Sequence, residues 1–76
     1  MAHRNLLHKS KLNDFKEYLD SKDIAYRPGK GPWQALQVQV PIHGWQCIFI
    51  RANMLEHYTV QDKLYFTVKR YLRSRK

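Results

Sequence analysis

Several things are scarce in this sequence, and each shortage removes a class of protein. One cysteine, Cys47, among 76 residues excludes an internal disulfide and a cysteine-based zinc site, and suits a reducing cytoplasm better than secretion. No apolar run approaches the roughly 18 to 20 residues of a membrane span. Met1 to Ser10 lacks the apolar stretch of a signal peptide, so the expectation is a cytoplasmic protein with no membrane partner. Glycine and proline number three each, and there is no internal repeat, low-complexity tract or linker. Acids are the other shortage, with six Asp and Glu against fourteen Lys and Arg, for a net charge of +8.

What remains is enough to fold. With 43% apolar and 13% aromatic residues the chain is too hydrophobic for a disordered basic arm. Its length gives one domain over residues 1–76, with flexible ends at about 1–9 and 74–76. The charge is uneven. Residues 1–26 hold five Lys/Arg against four acids, whereas from Arg27 onward nine Lys/Arg face only Glu56 and Asp62. That asymmetry points to an anionic partner.

The pattern along the chain predicts an α+β domain. Ser10 is placed to cap a first helix carrying Leu12, Phe15, Tyr18 and Leu19 on one face, after which Ile24 and Tyr26 tuck under the core. Arg27 to Pro32 reads as a loop, with Trp33 plugging the open end of the core. Gln34–Val40 and Trp45–Ile50 alternate as two strands joined by a four-residue loop, Pro41–Gly44. Glu56 to Thr59 adds a possible short third strand. Thr59 then caps a last helix, with Asp62 at its third position. The resulting order is helix, antiparallel hairpin with a possible third strand, helix, in two layers.

Pairing Val40 with Trp45 sets Val38 opposite Cys47 and Leu36 opposite Phe49, which places these six apolar side chains on one buried face. Ile48 and Ile50 then lie on the outer face as a greasy patch that could contact a protein. A slip of one residue would invert the faces, expose Trp45 and Phe49, and move the binding surface to the sheet.

The last helix carries the sharpest functional signal. Advancing about 100° per residue, Val60, Leu64, Tyr65, Val68, Tyr71 and Leu72 form an apolar arc, opposite Lys63, Lys69, Arg70, Arg73 and Lys76. Phe66 falls among these cations, where a helix covering a sheet has no use for it. A cation-and-ring surface suits a base or a phosphate-lined groove, so the expected function is a non-catalytic nucleic-acid-binding module, with Arg27 and Lys30 extending the track. The loop Arg27–Trp33 also has the parts of an anion cradle, though it lacks the spacing of a P-loop. The alternative is a protein-interaction module that docks its cations on an acidic host protein, with Ile48 and Ile50 at the apolar centre.

Catalysis is not expected. His3, His8, His43 and His57 show no metal-ligand spacing and no carboxylate cluster completes a site, so neither metal nor cofactor is expected. A nuclease would want Asp or Glu where the strands carry Gln37, Gln39 and Gln46. Cys47 is expected to point into the core, and Ser10, Ser21 and Ser74 lie at helix ends.

The element order resembles the layout of the double-stranded-RNA-binding domain over most of the chain. It departs at the last helix, where Thr59-Val-Gln-Asp-Lys63 replaces that family's lysine cluster. In its size, its Trp-rich hairpin and the wording of Leu12-Asn-Asp-Phe-Lys-Glu-Tyr-Leu19 and Glu56-His-Tyr-Thr-Val60, the chain also resembles the small accessory proteins of tailed bacteriophages and prophages. That resemblance implies a bacterial host cytoplasm and a role on DNA or RNA, or in binding a host protein.

Overall fold

The alternating runs form the middle of an antiparallel sheet, and chain on either side extends it. The computed structural model describes residues 5–74; Met1 to Arg4, Arg75 and Lys76 lie outside the described residues. In chain order come β1 (Leu6–His8), a 3-10 turn (Lys9–Lys11), α1 (Leu12–Ser21), β2 (Tyr26–Pro28), β3 (Gln34–Val40), β4 (Gly44–Arg51), β5 (Met54–Val60) and α2 (Asp62–Ser74). The strands align β1-β5-β4-β3-β2, each pair antiparallel. The fold is the expected α+β domain, with the third strand present and two short strands added at the sheet edges.

Both edges depart from the sequence expectation. Leu6–His8 falls in the stretch expected to fray, yet it pairs with His57–Thr59 and buries Leu7 to 1% exposure. Tyr26–Pro28, expected to lead into and begin a loop, pairs with Leu36–Val38. Pro28 is tolerated there because an edge strand has one side that needs no donor. Neither strand exceeds three residues, too short for alternation to be visible.

The helix starts also differ. Ser10 does not cap α1. His8 precedes the 3-10 turn and its Nδ1 accepts from the Ser10 amide at 3.1 Å. Thr59 belongs to β5, and Gln61 precedes α2, its carbonyl accepting from the Leu64 and Tyr65 amides at 3.0 Å each. The Gln61 side chain extends the ladder past the end of β5, accepting from the Cys47 amide at 2.7 Å.

The hairpin register differs by one residue from the expected one. Val40 pairs with Gly44, Gln39 with Trp45, Val38 with Gln46, Gln37 with Cys47 and Leu36 with Ile48. The cause is the loop, which has three residues rather than four. The His43 amide donates to the Val40 carbonyl at 3.1 Å, closing a turn with Pro41 second and Ile42 third. Ile42 takes φ 75°, the left-handed region that a turn of this kind demands at its third position, and Gly44, which opens β4, takes φ 76°. Because side chains alternate along a strand, one residue of slip turns β4 over completely.

Both helices therefore cover a face formed by Leu7, Leu36, Val38, Val40, Ile48 and Val60, and contribute Phe15, Leu19, Leu64, Val68 and Tyr71 to the same core. Each such burial is worth about 1.5–3 kcal/mol. Phe15, Tyr18 and Tyr71 meet ring to ring, with centroids 5.4–6.4 Å apart, and the Tyr71 hydroxyl donates to Asp14 Oδ2 at 2.8 Å, tying α2 to α1. Among the described residues, no helix covers the opposite face of the sheet.

Candidate nucleic-acid interface

Helical periodicity places Lys63, Phe66, Arg70 and Arg73 in one stripe, at spacings of three and four residues, spanning about 15 Å along α2. All four are exposed, as is the flanking Lys69. Phe66 is 60% exposed, and Lys69 Nζ lies 5.8 Å from the centroids of both Tyr65 and Phe66. The only ion pair among the described residues joins His8 and Glu56 at 3.4 Å, so no described carboxylate pairs with the α2 cations. These residues lie on the exposed side of α2; Lys76 lies outside the described residues.

Arg27 does not extend that stripe. It lies on β2 opposite Gln37, on the uncovered face of the sheet, while the stripe points outward from the helical layer. On that uncovered face its guanidinium stacks over the Trp45 ring, 4.0 Å from the centroid, and Nε donates to Gln37 Oε1 at 2.5 Å. Gln37 Nε2 donates in turn to Gln34 Oε1 at 2.9 Å, which also accepts from the Lys30 amide at 3.0 Å. Gln34 and Gln37 are three apart and would face opposite ways in a regular strand. The irregularity between Gln34 and Leu36 brings them to one side. Gln37, read from sequence only as an outward polar residue, is 5% exposed and holds Arg27 to the sheet.

This chain of contacts also decides the fate of the Arg27–Trp33 loop. The Lys30 amide, one donor of the expected anion cradle, is already engaged by Gln34. A side chain at Gly29 would place its Cβ 2.2 Å from the Gln34 carbonyl oxygen, so this close turn admits only glycine. Trp33 does not plug the core. It is 55% exposed and joins Phe49, Ile50, Arg51 and Ala52 around an open cleft of about 400 Å³, with its carbonyl accepting from the Ile50 amide at 2.8 Å.

The inversion of β4 relocates the other candidates. Ile48 is fully buried and cannot centre a protein contact; Ile50 is half-buried and pairs with Tyr58 on the helix side. Trp45, Cys47 and Phe49 turn to the uncovered face instead. Trp45 is 37% exposed, and Cys47 and Phe49 are half-buried, which corrects the expectation that all three lie in the core. The hydropathy pattern held this surface as the mirror of the expected one; only the loop length concealed it.

Among the described residues, no three His, Cys, Asp or Glu converge as metal ligands. His8 and His57 meet edge to face at 4.9 Å, with His8 also 2.8 Å from Ser10 Oγ. No described helix is long and apolar enough to cross a membrane. Comparison with protein-family models, with curated proteins and with solved structures finds no match for this chain.

Proposed function

We propose that this chain is a small, non-catalytic nucleic-acid-binding protein whose last helix lies against phosphates. The observation that carries the proposal is the α2 stripe, in which Lys63, Arg70 and Arg73 flank the exposed Phe66 with no described carboxylate to neutralise them. A helix face of this composition offers charge to a backbone and a ring to a base or sugar. Contacts of this kind are largely independent of sequence. As part of the same proposal, the chain works in a bacterial host cytoplasm as an accessory protein of a phage or prophage, which rests on the resemblance of its wording and size.

Filter binding at two salt concentrations tests the reading. If about four to six phosphates are neutralised, the logarithm of affinity falls with the logarithm of salt at about 0.7–0.9 per phosphate. Charge reversal at Arg70 and Arg73 should abolish binding at physiological salt. No association with duplex or single strand at low salt would remove the proposal. Partners captured from bacterial lysate that survive nuclease would favour the competing reading, in which the same cations dock on an acidic host protein.

A further inference from the structure

The uncovered sheet face is built differently from the α2 stripe. Along β4 it presents Trp45, Cys47 and Phe49 at alternate positions, and beside them lie Gln34, Gln37 and Gln39 of β3 and Arg27 of β2. From these residues we infer that this face binds the unpaired bases of a single-stranded nucleic acid, with Phe49 and the stacked Arg27–Trp45 pair as its two platforms. The inference rests on the nucleic-acid reading and adds a ligand class to it, single strand rather than duplex.

Charge and shape commit the face to that occupant. β2, β3 and β4 contain no Asp or Glu, while Arg27 lies on the face and Arg51 lines the cleft beside Phe49, so the face suits a polyanion. Rings of Trp and Phe on a sheet can take the flat faces of bases, which a duplex keeps stacked and out of reach. Trp45 and Phe49 are four residues apart on one face, about 13 Å along the strand, so each can receive its own base. The face is also pre-organised. Gln34 holds Gln37, Gln37 holds Arg27, and Arg27 lies 4.0 Å from the centroid of the Trp45 ring, so the tryptophan is oriented before a ligand arrives and less entropy is lost on binding. At the far end, Trp33 and Phe49 border the cleft of about 400 Å³, where a base beyond the strand can insert.

The test uses the whole chain with four probes: oligo-dT and oligo-rU of twelve nucleotides, oligo-dA of the same length, and a duplex of twelve base pairs. Trp33 and Trp45 are the only tryptophans, Trp45 on this face and Trp33 at the cleft beside Phe49, so binding is read as fluorescence quenching, alongside affinity at two salt concentrations. Single strands should quench and bind more tightly than duplex. Trp45→Ala and Phe49→Ala should each weaken single-strand binding by about tenfold without changing the salt slope, and Trp45→Phe should retain most of the affinity. Arg70→Glu with Arg73→Glu should instead remove binding at physiological salt and, at the low salt where binding persists, lower the salt slope.

The outcomes separate the two readings. If the helix variant abolishes binding while Trp45→Ala and Phe49→Ala leave single-strand affinity within twofold, the sheet inference is overturned and the helix reading stands. If sheet variants weaken single-strand binding and the helix variant changes nothing, the sheet inference stands without the helix. Self-association of the wild type that Phe49→Asp removes, with no oligonucleotide bound, overturns the sheet inference in favour of a protein contact. A difference between the dT and rU arms distinguishes DNA from RNA as the source of the strand.

Discussion

The two faces of β4 are nearly equal in apolar content, and only one of them became core. The inward side carries Gln46, Ile48 and Ile50; the outward side carries Trp45, Cys47 and Phe49. By side-chain volume the outward set is the better core, and burying it would gain more apolar area. The structure buries Ile48 fully and leaves Trp45 37% exposed. The choice was made at the hairpin end, by a three-residue loop and positive φ angles at Ile42 and at Gly44, the first residue of β4. When both faces of a strand are apolar, turn geometry sets the register and hydropathy does not.

The sharpest way to break this comparison is to cut both faces and weigh the losses. Ile48→Ala should cost about 2–5 kcal/mol, much of the roughly 5–15 kcal/mol that holds a small domain together, and Ile48→Asp should not fold. Phe49→Ala, on the half-buried outer side, should cost clearly less than Ile48→Ala in the same urea titration. The reverse order would restore the expected register and return Phe49 to the core. The Cys47 thiol provides a second reading: it should react with a thiol reagent in the native state faster than global unfolding allows.

Gly29 tests whether the outer face depends on its frame. Gly29→Ala places Cβ against the Gln34 carbonyl and should cost about 1–3 kcal/mol as β2 shifts away from β3. Because the Arg27 stack on Trp45 is anchored through Gln37 and Gln34, the variant should also change tryptophan emission. Loss of stability with unchanged emission would show that Trp45 is oriented without Arg27.

The buried side has a pH signature that the outer side lacks. Burial pushes the Tyr71 phenol above its ordinary pKa of 10.0, so the folded state holds its proton when the unfolded chain has begun to lose it. The contribution is fully present below pH 10 and is lost as pH rises through the folded value. Stability should therefore fall above about pH 10, and less steeply in Tyr71→Phe. That variant should cost about 0.5–1.5 kcal/mol at neutral pH through loss of the hydroxyl bond to Asp14. An identical alkaline slope in both proteins would show that Tyr71 does not carry it.

Much of this was legible in the residues. Periodicity located the helices, the inward side of β3 and the exposed stripe of α2, because those patterns run for seven residues or more. The edge strands were hidden by their length, and by Pro28, which reads as a break. Gln37 was hidden for another reason. Its burial follows from an irregular residue in β3 that brings Gln34 alongside it, and a strand irregularity has no marker in amino-acid type here. The Arg27–Trp45 stack depends on all of these together, so the outer face could be foreseen only as what a slipped register would expose.

The smallest expected effect is at the loop that chose the register. Ile42 is 99% exposed and holds φ 75°, a conformation that costs an L-residue about 1–2 kcal/mol and a β-branched one at least that. Its side chain gains nothing from burial to offset this. Ile42→Gly removes the strain and adds the larger chain entropy of glycine, about 0.5–1 kcal/mol in the other direction, for a net gain of roughly 0.5–1 kcal/mol. Ile42→Asn, which tolerates the left-handed region better than isoleucine, should gain less. Thermal unfolding would register either as a rise of a few degrees. A loss of stability in both variants would mean that the Ile42 side chain supports the turn, and that the three-residue loop is selected by packing rather than imposed by Pro41 and Gly44.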